Sequence, residues 1–153
     1  MTLLLIWRSS RTSIRELGRD GDSGAYHDVS RHRGLDEVPG VLVARVDGPL
    51  FFADADRFRT RLRELTSATP GVTRVVVDAE AVHLTDTDGA DIVVQVAEEL
   101  ADDGIALTFA AVHPPVLELW TRAGVLDAIG AEGVTDTLDE AIFAGDGRAP
   151  AGL

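Results

Sequence analysis

The chain has 153 residues, is 45% apolar and carries a formal net charge of −12, with no cysteine. This length and apolar content suit one globular domain and exclude a disordered chain. The negative charge argues against nucleic-acid binding, and the lack of cysteine excludes disulfides and thiolate metal sites and fits a reducing, cytoplasmic compartment. All fourteen basic residues are arginine, so chemistry that requires a lysine is also excluded.

The chain begins with a short apolar run, residues 1–7, that is followed by Arg8, Arg11 and Arg15. This run is shorter than the roughly 20 residues that span a bilayer. The charges of a secretory signal precede its apolar run, whereas here they follow it, as at the cytoplasmic end of a membrane helix. By itself the segment fits the stump of a membrane helix, a disordered tail or a helix docked on the domain.

A polar, glycine-containing stretch, residues 8–24, is predicted to be a linker. A short edge strand is expected at 25–29, and the apolar run 41–46 predicts the first long strand, which Gly48 and Pro49 end. The next three residues, 50–52, are expected to bring the chain back toward the core.

Residues 53–67 have the apolar spacing of an amphipathic helix. The apolar face of this helix consists of Ala55, Phe58, Leu62 and Leu65. Its other face carries the arginines at 57, 59, 61 and 63. Because residues two apart on a helix point in different directions, these arginines form a solvated face and not a single basic patch.

The centre of the chain is a strand, a turn and a helix in succession. The β-branched run 75–77, ended by Asp78, is typical of a strand buried on both faces of a parallel sheet. Apolar residues spaced three and four apart over 92–100 predict a helix, capped at its start by Thr87 or Asp88. Phe58, Leu62, Val96 and Leu100 are expected to pack on the sheet. The amino terminus of the second helix would favour an anion or a phosphate.

The remaining segments continue this alternation. We expect a strand at 105–111 beside that at 75–77, a helix opened by the prolines at 114 and 115 and stopped by Gly124, and a short last strand at 126–129. Thr137 and Glu140 form a capping box that starts a final helix, and 145–153 is expected to be a disordered tail. The fold class is α/β, with a mixed, mostly parallel sheet of 4–5 strands covered by about four helices.

Several catalytic sites are excluded by their missing residues. A P-loop needs a lysine, and a calcium loop that starts at Asp86 would have Asp91 and Ala97 at its glycine and glutamate positions. Asp78 ends a strand, where some α/β proteins carry a phosphorylated aspartate. The lysine and the second aspartate that such sites use are absent, so Asp78 is expected to cap the loop or pair with an arginine. His27, His32, His83 and His113 lack metal-ligand spacing, and the sequence predicts no enzyme and no metal site.

The strand, loop, D-[ST]-x-G turn and apolar helix resemble the STAS domain, which occurs in bacterial anti-sigma-factor antagonists and in the cytoplasmic tails of SulP-type anion transporters. In the antagonists the second hydroxyl of this turn is phosphorylated by a partner kinase. The matching residues are Asp86, Thr87, Asp88 at the phosphoacceptor position and Gly89. A serine kinase cannot phosphorylate a carboxylate, so the resemblance implies a turn for anion or nucleotide binding more than a phosphorylation switch. Thr87 is the other hydroxyl that could accept a phosphate. The alternative interpretation of the turn is that Asp86 and Asp88 only cap the helix.

Other motifs are similar to the SulP transporters in particular. They are L-G-R at 17–19, Y-H-D-V-S-R at 26–31, V-P-G-V at 38–41, D-G-P-L-F-F-A-D at 47–54 and the stretch 115–126. This similarity covers roughly residues 1–144 and favours residues 1–7 as the stump of the last transmembrane helix. Residues 25–144 are then the STAS domain.

The resemblance implies a cytoplasmic regulatory domain of a SulP-type anion transporter, with sulfate as the expected anion. It implies a location at the cytoplasmic face of the cell membrane, the transmembrane domain of the same transporter as a partner, and a homodimer in the full-length protein. No cofactor is expected beyond weak guanine or adenine nucleotide binding. The alternative is a soluble partner-switch protein of the anti-sigma-factor-antagonist kind.

Overall fold

The computed structural model describes residues 12–144, which form a six-stranded sheet in the order β2-β1-β3-β4-β5-β6. The strands are β1 (Ser13–Arg19), β2 (Tyr26–Asp28), β3 (Val41–Asp47), β4 (Arg74–Ala81), β5 (Ala106–Ala110) and β6 (Val134–Thr135). The helices are α1 (Phe52–Ala68), α2 (Thr87–Asp102), α3 (Pro114–Ala123), α4 (Val125–Ile129) and α5 (Leu138–Phe143), with a 3-10 turn at Ala131–Gly133.

The four strands from β3 to β6 are parallel, and the hairpin of β1 and β2 is antiparallel to them. Val76 pairs with Val43 on one side and with Thr108 on the other. Because β4 has a strand on each side and a helix layer on each face, its central residues are completely buried, which explains the continuous apolar run. The predicted parallel pairing of β4 with β5 is confirmed.

Alternate residues of the strands enter two separate clusters, one on each face of the sheet. Val75 and Val77 point to the large core under α1 to α4, and Val76 points to the smaller core under α5. The predicted helix residues Phe58, Leu62, Val96 and Leu100 are all fully buried in the large core. The amphipathic spacing of α1 and α2 therefore identified the correct faces.

Two segments have a different secondary structure from the one predicted. Ser13–Arg19 falls within the predicted linker but forms β1, which pairs with β3 over five residues. Val125–Ile129 is helical where a strand was predicted, because Gly124, with φ of 87°, ends α3 and lets α4 begin at once. The last strand is instead Val134–Thr135, so the sheet has one strand more than the upper estimate and the described chain has five α-helices.

The arginines on the exposed face of α1 are confirmed as a solvated, paired face. Each lies within 4.0 Å of a carboxylate. The pairs are Arg57–Asp54, Arg59–Glu99, Arg61–Glu64 and Arg63–Asp103. The hydrogen bond from Arg59 lowers the pKa of Glu99 below its ordinary range, so this carboxylate is charged at neutral pH and helps to offset the positive face.

Two of the predicted segments, residues 1–7 and 145–153, lie outside the described residues. The same holds for 8–11, the beginning of the predicted linker. Among the helices from residue 12 to residue 144, none is both long and apolar enough to cross a membrane.

Candidate functional site

The segment that follows β3 and the segment that follows β4 are joined at Leu50. Leu50 is completely buried and forms a parallel bridge with Thr85, beyond the ends of both strands. Its N–H donates to the carbonyl of Leu84 at 2.9 Å, and its own carbonyl accepts from Thr85 Oγ1 at 3.0 Å. Two hydrogen bonds therefore join the two segments at the carboxyl edge of the parallel sheet.

Gly89, in the first turn of α2, packs directly against this bridge. A Cβ atom at position 89 would lie 2.1 Å from the carbonyl oxygen of Leu50 and 3.0 Å from Oδ1 of Asp86. Side chains never approach a backbone oxygen so closely, so the position accepts only glycine. The glycine of the D-T-D-G motif is thus required by the approach of α2 to the segment after β3.

Asp86 is the N-cap of α2. It has extended backbone angles (φ −129°, ψ 175°), and its side chain accepts from the N–H of Gly89 at 2.7 Å. Its carbonyl accepts from Ala90, the first bond of the helical ladder. Of the residues predicted to cap the helix, Asp86 is confirmed and Thr87 and Asp88 are wrong, because the helix begins at Thr87 and the N-cap is the residue before it.

Thr87 and Asp88 are the first two residues of α2, and both are exposed. Their N–H groups have no acceptor within the helix, because the carbonyls four residues earlier lie before it begins. Asp88 already supplies a negative charge in the first turn, worth about 0.3–1 kcal/mol to the helix. The carboxylate of Asp86 lies in the same turn. An anion that approaches the helix start is therefore repelled by two negative charges.

Three large apolar side chains are exposed next to the bridge. Phe51 is 39% exposed, Phe52 is 61% exposed and Leu84 is 60% exposed. Only Leu50 of the segment 50–52 returns to the core, so the expectation that all three residues do so is wrong for the two phenylalanines. Sequence reasoning missed this surface because apolar residues are expected inside by default.

The other titratable residues at this edge have structural roles. Asp78 is buried, and its Oδ1 accepts from the N–H of Glu80 at 3.0 Å, which caps the loop as predicted. His113 contacts the carbonyl of Glu80 through Nε2, and its ring lies 4.5 Å from that of His83. Within residues 12–144, no group of three or more histidine or acidic residues could hold a metal ion.

Comparison with known sequences finds one family and a set of named transporters. The sequence profile of the STAS domain matches residues 33–141. A probable sulfate transporter of Mycobacterium tuberculosis is 34% identical over 119 residues, which cover 77% of this chain and 21% of the transporter. Solute carrier family 26 member 10 of Mus musculus is 29% identical over 137 residues, which cover 85% of this chain and 20% of that protein. The chain therefore spans about a fifth of the length of these relatives.

Solved structures agree with the fold. The inward-facing structure of murine Solute Carrier 26 family member A9 has a TM-score of 0.83 at 16% identity, covering 96% of this chain and 24% of that one. The STAS domain of a SulP transporter from Vibrio cholerae has a TM-score of 0.61 at 20% identity, covering 76% of this chain and 88% of that one. The unphosphorylated anti-sigma factor antagonist SpoIIAA has a TM-score of 0.59 at 18% identity, covering 74% of this chain and 95% of that one.

Replacing Gly89 with alanine tests the close approach of α2 to Leu50. Alanine is a better helix former than glycine by about 1 kcal/mol, so helix propensity alone would make Gly89→Ala stabilising. The contact with the Leu50 carbonyl should reverse the sign and destabilise the domain by about 1–3 kcal/mol. Chemical denaturation measures this free energy of unfolding. Thr87→Ala, at an exposed position of the same turn, should change it by less than about 0.5 kcal/mol. A Gly89→Ala variant as stable as the parent would contradict the packing.

Proposed function

Because the chain belongs to the STAS domain family, we propose that it is the cytoplasmic regulatory domain of a SulP-type anion transporter, with sulfate as the expected anion. The anion pathway would lie in a transmembrane domain that precedes this chain. The domain itself would then support the folding, assembly and regulation of that membrane part, and would have no catalytic role.

The observation that carries this proposal is the sequence likeness to named transporters. Two proteins that are named sulfate transporters match 77% and 90% of the chain, and one of them is 34% identical over 119 residues. The likeness in fold does not separate the two functions, because the STAS domain of the SulP transporter covers 76% of the chain and the antagonist covers 74%. The named relatives therefore favour a domain of a transporter.

The fold likeness to the antagonist supports a second function. In this alternative the protein is a soluble partner switch that acts on a kinase or a sigma-factor regulator. Such a switch needs a hydroxyl that its kinase can phosphorylate. Asp88 stands at that position and offers a carboxylate instead, which disfavours the switch. Thr87 is exposed and keeps a hydroxyl in the same turn, so phosphorylation of Thr87 by a partner kinase would support this alternative.

The proposal is tested by the complete reading frame and by anion uptake. Ten or more membrane spans should precede residue 8. Expressed in cells that lack their own sulfate uptake, the full-length protein should restore it. Deletion of residues 25–144 should reduce either the uptake or the amount of transporter in the membrane, since the domain supports assembly and regulation. A reading frame without membrane spans would contradict the proposal and favour the partner switch.

We further propose that the turn from Asp86 to Gly89 is a recognition surface that binds a guanine or adenine nucleotide weakly and without hydrolysis. The free N–H groups of Thr87 and Asp88 and the helix dipole attract a phosphate. The carboxylate of Asp88, which lies in the same turn, repels it. The proposal therefore depends on which of these effects is stronger, and removing the carboxylate measures the repulsion directly.

Asp88→Ser should bind nucleotide about fivefold more tightly than the parent, because two unit charges 4 Å apart in water repel by about 1 kcal/mol. Titration with GTP and ATP, followed through the amide shifts of residues 87–90, measures both affinities. Asp91→Ser, which removes an exposed carboxylate further along α2, should change the affinity less. Micromolar binding at the turn that is unchanged or weaker in Asp88→Ser would contradict the proposal.

A further inference from the structure

The apolar edge, defined as Phe51, Phe52 and Leu84, is an exposed surface without a partner in the described part of the chain. All three residues lie within two positions of the bridge between Leu50 and Thr85, at the carboxyl edge of the parallel strands. The bridge and the buried Leu50 fix the backbone that carries them. A surface of large apolar side chains on a fixed backbone is typical of a protein contact.

The segments that carry the apolar edge are strongly acidic. Residues 47–56 and 78–91 contain eight carboxylates and no arginine or lysine. Four of these eight carboxylates are already satisfied, since Asp47, Asp54 and Asp56 pair with arginines and Asp78 is buried. Among residues 12–144, no ion pair involves Asp86, Asp88 or Asp91. The apolar edge therefore has a rim of free negative charge, which suits a basic partner.

The chain enters the domain beside this same edge. Ser13, the first residue of β1, pairs with Asp47, the last residue of β3. Thr12 is buried, its Oγ1 donates to the carbonyl of Pro49, and it packs against Gly48. The five peptide units from residue 7 to residue 12 span at most about 18 Å. Any membrane helix that ends near residue 7 would hold the apolar edge close to the membrane surface.

We propose that the apolar edge docks onto the basic cytoplasmic loops of the transporter's transmembrane domain, with Phe51, Phe52 and Leu84 as the central contacts. This inference rests on the proposed function. Cytoplasmic loops of membrane proteins carry an excess of arginine and lysine, which complements the acidic rim. The cytoplasmic leaflet carries anionic lipids, which the same rim repels, so the loops and not the lipids are the partner.

The test measures how fast a cysteine at position 84 reacts with a maleimide. The chain has no cysteine of its own, and peptide mass spectrometry identifies the labelled site in the full-length protein. Leu84→Cys is compared between the 153-residue chain and the full-length transporter in nanodiscs of neutral lipid. A surface covered for about nine tenths of the time should label about tenfold more slowly in the transporter. Added salt should raise this rate, because charge attraction contributes to docking.

Ser67→Cys is the matched control. Ser67 is exposed near the end of α1, at the opposite edge of the sheet from the apolar edge, and should label at the same rate in both proteins. Equal rates for Leu84→Cys in both proteins would overturn the inference while leaving the proposed function intact. A reading frame without membrane spans would contradict the proposed function itself, and this is known from the gene before any labelling is done.

Two further results would overturn the inference by naming another occupant. If the 153-residue chain floats with phosphatidylglycerol vesicles, and Phe52→Ser abolishes this, then the apolar edge binds lipid. If Leu84→Cys already labels slowly in the 153-residue chain and the rate rises on dilution, then the apolar edge binds a second copy of the chain. The inference requires that Leu84→Cys in the 153-residue chain labels fast at all protein concentrations and that this chain does not float with the vesicles.

Discussion

The contact between Gly89 and the carbonyl oxygen of Leu50 is the constraint on which the carboxyl edge of the parallel sheet depends. Parallel strands end at a common edge, but the segments after them are free to diverge. Here the missing side chain of Gly89 lets α2 approach the segment after β3, and Leu50 bonds to both Leu84 and Thr85. The position of Gly89 in turn makes Asp86 the N-cap. The exposed residues of the turn and the apolar edge are thereby held on one rigid support.

The amino-terminal hairpin is tied to the rest of the domain at its two ends. At the start of β1, Thr12 packs against Gly48. At the other end, Tyr26 of β2 donates to Asp139 of α5, and burial together with this bond raises the pKa of the tyrosine above its ordinary range, so its hydroxyl is protonated at neutral pH. The hairpin therefore contacts both the segment that leads to the apolar edge and the carboxyl-terminal helix.

Sequence patterns predicted the elements whose signal is local. The run Val75–Val77 and the apolar spacing of α1 and α2 follow from burial, and both were confirmed. The exposure of Phe51 and Phe52 was missed because it depends on Leu50, which is buried and bonds to Leu84 and Thr85, residues far away in the sequence. Strand β1 was missed because three of its seven residues are charged, namely Arg15, Glu16 and Arg19. These side chains are only partly exposed, and the strand is held by backbone pairing with β2 and β3 and by ion pairs with Asp47 and Asp139, which are distant in sequence. The short apolar run of α4 fits a strand and a helix equally well by periodicity, and Gly124 decided the outcome.

The rigidity of the edge is tested most directly by native-state amide hydrogen exchange at Leu50. If the Leu50 bridge is as firm as the sheet, the Leu50 amide should exchange as slowly as those of Val76 and Leu107 in the central strands, while the amide of Thr87, at the exposed start of α2, should exchange fast. An amide of Leu50 that exchanges as fast as that of Thr87 in the folded protein would contradict the account.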